Sequence, residues 1–456
     1  MSVSVGAAGG GSSAGGGSSA RGGSSAGGAR LARVKEPALV IAIVIAGLWI
    51  LFNLISFAFA EAPLATLGRA FDGTWGTSYG IGQVLFKATP LVFTGYAFHI
   101  AQRAGLFNIG AEGQLALASL CGGAFAAWLP AGTPAPVALV LVLGVGAAVG
   151  AAVAAPPAVM RARLGVHEVI SGIMMNRVVD VLVPFTLATV IGASSLRTAD
   201  VAKGAALPRL DVVFGSLAGS AASFAFPLAV VLVVGLHFWL MRSRVGREMA
   251  WVGVNPQACR AEGVPVGRRL VLAMLLSGAF AGLGMSATVL GYKGYFEIGL
   301  GSGAGFAGIA VALLGRGNPA GIVAAAIFFG TLEQAGLAIN ARVPKEAMTV
   351  LEAFAIVFVS AAGRFARAGD AGGQSAGEGQ SGGEGQSGGD GQSGGEGQSG
   401  GDGQSAGDGQ SAGDGQSGEG AAQEDGAGQP HSRQGDGALK AGHIPGDGES
   451  AKEGAS

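Results

Sequence analysis

Cysteine is nearly absent from this chain: Cys121 sits in an apolar run and Cys259 in a polar loop. Two thiols so differently placed exclude a disulfide framework and a cysteine-held zinc site. His99, His167 and His237 each lack a second ligand at the helical i+3 or i+4 position, so metal binding is not expected. No Gly-x4-Gly-Lys-Ser/Thr phosphate loop occurs, which excludes ATP binding by that route. A zincin pair, a nucleophile with a Cys/His partner and a nucleic-acid module are missing as well. Charge is scarce too, at 12% of residues.

That charge is unevenly spread. Residues 1–30 are almost wholly Gly, Ser and Ala, and residues 370–456 repeat Gln-Ser-Gly-Gly-Glu-Gly and close variants every six residues. The tail carries 15 acidic and 3 basic residues, while residues 1–369 hold 14 and 25. A net charge of −1 thus hides a basic body and an acidic tail. Such termini have too little apolar surface to offset the entropy of ordering. The expected division is a disordered lead over 1–35, a folded body over 36–367 and a disordered acidic tail over 368–456. The tail contains decoys: Gly409-Gln-Ser-Ala-Gly413 fits a nucleophile elbow and Gly377-Glu-Gly-Gln-Ser-Gly382 a dinucleotide fingerprint. Neither stands between a strand and a helix, as those chemistries require, so the tail reads as a solvated spacer.

The body is a series of long apolar runs. About 20 apolar residues at a rise of ~1.5 Å cross a bilayer. Spans are expected near 38–60, 82–101, 114–129, 136–159, 169–192, 224–241, 270–291, 303–315, 319–339 and 347–363, the second, third and eighth being short or Gly/Pro-interrupted. Ala58-Phe-Ala-Glu61 resembles a signal-peptidase site, but its apolar stretch exceeds the ~7–15 residues of a signal-peptide core, so a retained first helix is expected. With the N-terminus inside, 16 Lys/Arg fall on inner segments and 7 on outer loops, which favours an N-in/C-in orientation. The fold class is therefore all-α, a polytopic membrane bundle of about ten segments, some short or broken. The pairs Gly146/Gly150, Gly278/Gly282 and Gly301/Gly305 read as close helix packing rather than dimerisation.

Polar groups interrupt the runs at four places. Gly105-Leu-Phe-Asn-Ile-Gly-Ala-Glu-Gly-Gln114 sets Asn108, Glu112 and Gln114 in a glycine-loosened backbone. It is either a broken-helix solute site or a tight cytosolic turn. In His167–Asp180, Ser171 and Asn176 are candidates for a solute-facing wall, and Arg177 and Asp180 form a self-neutralising i,i+3 pair. Phe306, in the glycine-rich 299–319 segment, either stacks on a flat solute ring or fills space between helices. Glu333, Gln334 and Glu352 either line a path or brace the bundle.

A fifth segment, Trp251–Val264, is polar, helix-compatible and flanked by Arg242, Arg244, Arg247, Arg260, Arg268 and Arg269. Within it Gln257-Ala258-Cys259 and Gly263 keep the spacing of the Glu-Ala-Ala-x-x-x-Gly loop of ATP-binding cassette (ABC) importer permeases, with Gln for Glu and Cys for the second Ala. With Phe107–Gln114, Glu168–Asn176 and Gly305–Arg316, residues 80–365 resemble the permeases of simple-sugar and nucleoside ABC importers, within the branched-chain amino acid/ribose permease superfamily. Asn108-Ile-Gly-Ala-Glu-Gly-Gln114 points to the nucleoside branch. The resemblance implies a multi-pass permease of the bacterial cytoplasmic membrane with a cytosolic coupling loop near 242–269. It implies no cofactor on this chain, with ATP and Mg on a partner ATPase docked at 257–263. A second related permease or a second copy, and an extracytoplasmic solute-binding lipoprotein, would complete the assembly. The rival class is an ion-gradient-driven secondary transporter using Glu333, Glu352 or the Arg177–Asp180 pair.

Overall fold

The computed structural model describes residues 45–192 and 196–358. The Gly/Ser/Ala-rich lead and the acidic tail lie outside the described residues, as do the outer ends of the first and tenth expected spans. The described residues are helical, and their only extended pairings are isolated bridges, Arg197 with Glu297 and Arg209 with Ser223. Each expected apolar segment falls on a helix. Among the described residues six helices are long and apolar enough to cross a membrane, or seven if one bent pair counts as a span.

That pair is α1 (Ile45–Ala58) and α2 (Pro63–Thr74), bent by 108°. Ala60 takes φ 55° at the corner, and Pro63, which needs no N–H partner, opens α2. Thr66, Ala70 and Thr74, four residues apart, bury one face of α2. No apolar run marks this stretch in the sequence, because the buried face is made of small and hydroxylated residues.

Helix α3 (Ser78–Arg103) is the mast of the bundle. Thr77 caps it, its Oγ1 accepting the Gly80 N–H at 3.0 Å. The second span, expected over 82–101 as short or Gly/Pro-interrupted, is longer at 26 residues and carries Pro90 within it, yet it is buried without a break from Ala88 to Ala101. Polar Thr89, Thr94 and His99 lower its apolar signal but are enclosed by neighbouring helices rather than lipid. By contrast α4 (Ala111–Trp128) is short, as expected, at 18 residues.

Helix α5 (Ala135–Val159), extended by a π turn over Met160–Leu164, lies antiparallel to α10 (Val266–Gly282). Their glycine pairs interlock: a β-carbon on Gly150 would strike the Gly278 carbonyl oxygen, and one on Gly282 the Gly146 carbonyl oxygen. The two small-residue motifs are the halves of one internal crossing.

Helix α6 (Glu168–Phe185) continues through a π turn over Thr186–Val190, and α7 (Ala225–Arg242) returns to α8 (Arg244–Val254) and α9 (Pro256–Ala261). Beyond α10 come a π turn over Ser286–Lys293 and then α11 (Ala304–Gly315), only 12 residues long. Arg316 (φ 50°) and Gly317 (φ 74°) end it, and the Asn318 side chain caps α12 (Pro319–Ile339) by accepting the Ala320 N–H at 3.1 Å. A last helix, α13, covers 345–358.

Candidate functional site

Two interrupted segments meet at Glu112. The carboxylate stands in the first turn of α4, where Oε1 accepts the Gly303 N–H at 2.6 Å and Oε2 the Gly305 N–H at 2.8 Å. It thereby closes the N-terminus of α11, whose own N-cap residue, Gly303 at φ 88°, has no side chain to do so. Gly305 is held so close to the Glu112 backbone that a β-carbon would not fit. Phe306, next along α11, is 48% exposed and points away from the bundle interior.

Asn108 and Gln114 are fully enclosed. Their amides are paired reciprocally, Asn108 Nδ2 to Gln114 Oε1 at 2.8 Å and Gln114 Nε2 to Asn108 Oδ1 at 2.9 Å. Asn108 Nδ2 also donates to Ser277 Oγ at 2.7 Å, and Ser277 in turn donates to the Ala97 carbonyl at 2.6 Å. This chain of hydrogen bonds ties the α3–α4 connection to both α3 and α10.

Asn176 is buried against the same connection, accepting the Gly113 N–H at 3.0 Å and donating to the Ile109 carbonyl at 3.0 Å. Ser171 is buried one and a half turns earlier and bonds only locally, donating to the Glu168 carbonyl at 3.2 Å and the His167 carbonyl at 3.4 Å. Glu168, also buried, accepts the Phe107 N–H at 3.2 Å and faces Arg161 Nε at 3.2 Å. The structure therefore gathers Asn108, Glu112, Gln114 and Asn176 around one connection, with Phe306 on its exposed flank.

The other side of α6 carries an ion pair. Arg177 and Asp180 are bridged at 3.2 Å with side chains 78% and 54% exposed. They lie within the candidate span Glu168–Val190. A charge at the centre of a lipid-facing helix costs about 2.5–3.5 kcal/mol on insertion scales, so such a face is expected to meet protein or water.

The polar loop builds a separate site. Ser243 caps α8, and Asn255 caps α9 by accepting the Gln257 and Ala258 N–H groups at 3.0 Å each. Pro256 pre-sets the first helical turn. Gly263 ends the motif at φ 75°, a conformation that costs glycine nothing. Gln257 and Ala258 face solvent. Cys259 turns inward and packs with Val252 and Val266, so of the four expected docking residues it is the anchor beneath the surface.

Sequence reasoning missed the supports of this loop. Glu248, buried, joins Arg244 Nε at 2.7 Å and Arg269 Nε at 2.6 Å and so ties α8 to the foot of α10. These hydrogen-bonded guanidiniums, Arg244 first, hold its carboxyl below the usual carboxylate range. A single acid directly after Arg247, four residues past Arg244, was the available signal. Gly253 presses α8 onto the end of α3, where a β-carbon would meet the Arg103 carbonyl and the Gly105 N–H. Beside this contact lies a cavity of about 420 Å³ lined in part by Gly105, Arg161, Arg163, Gly253 and Arg260.

Residues 80–361 match the family described as branched-chain amino acid transport system / permease component. Among curated proteins the chain is 35% identical over 299 residues to the guanosine ABC transporter permease protein of Bacillus subtilis, covering 64% of this chain and 83% of the relative. It is 31% identical to the nucleoside ABC transporter permease protein of Lactococcus lactis, covering 68% and 87%. A glucose ABC transporter permease protein of Haloferax volcanii is 31% identical, covering 65% and 80%. No solved structure matches the chain.

Proposed function

Because this chain belongs to the family of branched-chain amino acid transport system permease components, we propose that it carries a nucleoside inward as the permease subunit of an ABC importer. It is a multi-pass protein of the cytoplasmic membrane. The nucleoside assignment rests on the guanosine and nucleoside permeases among its relatives, with simple sugars the next class because a glucose permease is related as well.

The observation that carries the reading is the build of the polar loop. Helix α9 offers Gln257 and Ala258 to solvent, Cys259 anchors it, and Gly253 locks the preceding helix onto the end of α3. A partner ATPase, holding ATP and Mg, would dock on the exposed face of α9. Movement there would pass through Gly253 to the Gly105–Gln114 connection, and from Glu112 to α11. On this account Asn108, Gln114 and Asn176 keep the connection rigid, while Glu112 and Phe306 border the solute path.

Ten segments with both termini inside remain our reading of the topology, supported by the excess of basic residues on the 242–269 side. A second permease, related or identical, would complete the path, and an extracytoplasmic lipoprotein would deliver solute. The ion-driven alternative is weakened at Glu333, which is already neutralised by Lys87 across α3 and α12.

Uptake of radiolabelled nucleoside by cells carrying Gly263→Asp tests the docking role. The variant is expected to remain in the membrane and lose most uptake, because a carboxylate on a positive-φ exposed turn disturbs the docking face. Unchanged uptake would remove α9 from the coupling mechanism.

A further inference from the structure

Helix α6 exposes a guanidinium and a carboxylate on a face that is otherwise apolar. Arg177 is nine residues and Asp180 twelve residues past Glu168, where the candidate span Glu168–Val190 begins. At ~1.5 Å per residue, that places them about 13 and 18 Å along it, near the middle of a ~30 Å hydrocarbon core. Charges at that depth face the interior of an assembly or a water-filled space.

The neighbourhood of the pair narrows the choice. Asn176 is fastened to Gly113 and Ile109, so the adjoining edge of α6 is pinned beside the start of α4. Glu112, in the first turn of α4, reaches the amides of Gly303 and Gly305. The exposed Phe306 follows directly. On the flank away from α4, Arg177 stands on an open apolar face of α6 formed with Met174, Val178, Val181, Leu182 and Phe185. Among the described residues nothing else bonds the pair: Arg177 contributes one N–H to Asp180, leaving its remaining donors and the other Asp180 oxygen without a partner there.

We propose that Arg177 and Asp180 are solute-contacting, specificity-determining residues of the transport path. A guanidinium with free donors suits ring carbonyl or ring-nitrogen acceptors, and a carboxylate with a free oxygen suits the hydroxyls of a ribose. Met174, Val178, Val181 and Phe185 supply an apolar wall for a flat ring. The solute class that uses all three features is a nucleoside. The i,i+3 bridge keeps both charges neutralised when the path is empty, so an unloaded path buries no lone charge. This inference rests on the importer reading above.

The test uses the full chain in cells that carry out uptake. Val178→Cys and Val181→Cys are exposed separately to a small, charged, membrane-impermeant thiosulfonate added from outside, with the unaltered chain as control. Labelling that falls several-fold under saturating nucleoside is the expected result. Labelling only by a lipid-soluble maleimide would place this face against lipid and overturn the proposal, as would labelling by the charged reagent with no protection by solute. In parallel, Asp180→Asn and Arg177→Gln should raise the KM for uptake about tenfold, with Arg177→Lys intermediate. Membrane abundance and co-purified ATPase should be unchanged, and loss of either would make the pair a structural brace. Uptake by the unaltered chain that survives ATP depletion would sink the importer reading separately, whatever the labelling pattern shows.

Discussion

Gly253 lies against Arg103 so closely that a β-carbon on the glycine would collide with the arginine's carbonyl oxygen. Backbone meets backbone here, with no side chain able to cushion a movement. This makes the contact a stiff route from α8 to the membrane body. Gly253→Val is expected to cost about 1–3 kcal/mol by overpacking and to uncouple the two. Nucleoside uptake should fall while ATPase remains bound in a pull-down. Normal uptake by a normally abundant Gly253→Val protein would show that coupling passes elsewhere.

Glu112→Ala takes away the carboxylate that closes the Gly303 and Gly305 amides. Loss of a helix cap costs about 0.5–2 kcal/mol, so the melting temperature of the purified protein should drop modestly. Transport should suffer more than stability, because α11 and Phe306 lose their positioning. Loss of assembly with the ATPase instead would mark the segment as structural.

Glu248 gives the α8–α9 loop an acid limit. Its carboxyl is held below the usual carboxylate range by Arg244 and Arg269, so its stabilising contribution is present at neutral pH. That contribution disappears as pH falls through the depressed value. Thermal unfolding followed from neutral to acidic pH should show Glu248→Gln less stable at neutral pH, with the gap to the unaltered protein closing in acid. Parallel curves would remove the ion pairs from the stability of the loop.

Gly278→Leu should block the α5–α10 crossing, since the glycine's neighbours are the Gly150 carbonyl and the Ala154 side chain. Overpacking at such a site costs ~1–3 kcal/mol. Gly144→Leu and Gly235→Leu, where nothing stands within 4 Å, are expected to be neutral. Protease resistance of the purified protein separates the three. Equal resistance would mean the crossing tolerates a wider spacing than its glycines suggest.

The apolar segments were legible because each is long and its stops are chemical: Asn318-Pro319 marks the start of α12 where the structure begins it. α2 was not legible, since Thr66, Ala70 and Thr74 bury a face without looking apolar. The ends of α3 were only partly legible, since Ser78, Tyr79, Gln102 and Arg103 lengthen the helix without adding apolar signal. The polar connection itself was visible, yet its geometry was not. Asn108 is satisfied by Ser277, 169 residues away, and Glu112 by amides nearly two hundred residues on. No local pattern carries such partners. The glycine-to-backbone contact at Gly253 is equally silent, since a glycine in a helix gives no sign of what lies against it.

The most direct test of the central claim is a mild-detergent pull-down of the tagged protein from its native membrane, read by mass spectrometry. Recovery of a cassette ATPase, a second permease and a solute-binding lipoprotein is expected, with the ATPase lost in Gly263→Asp. Robust recovery of the protein with no ATPase, alongside uptake that follows an ion gradient, would contradict the account.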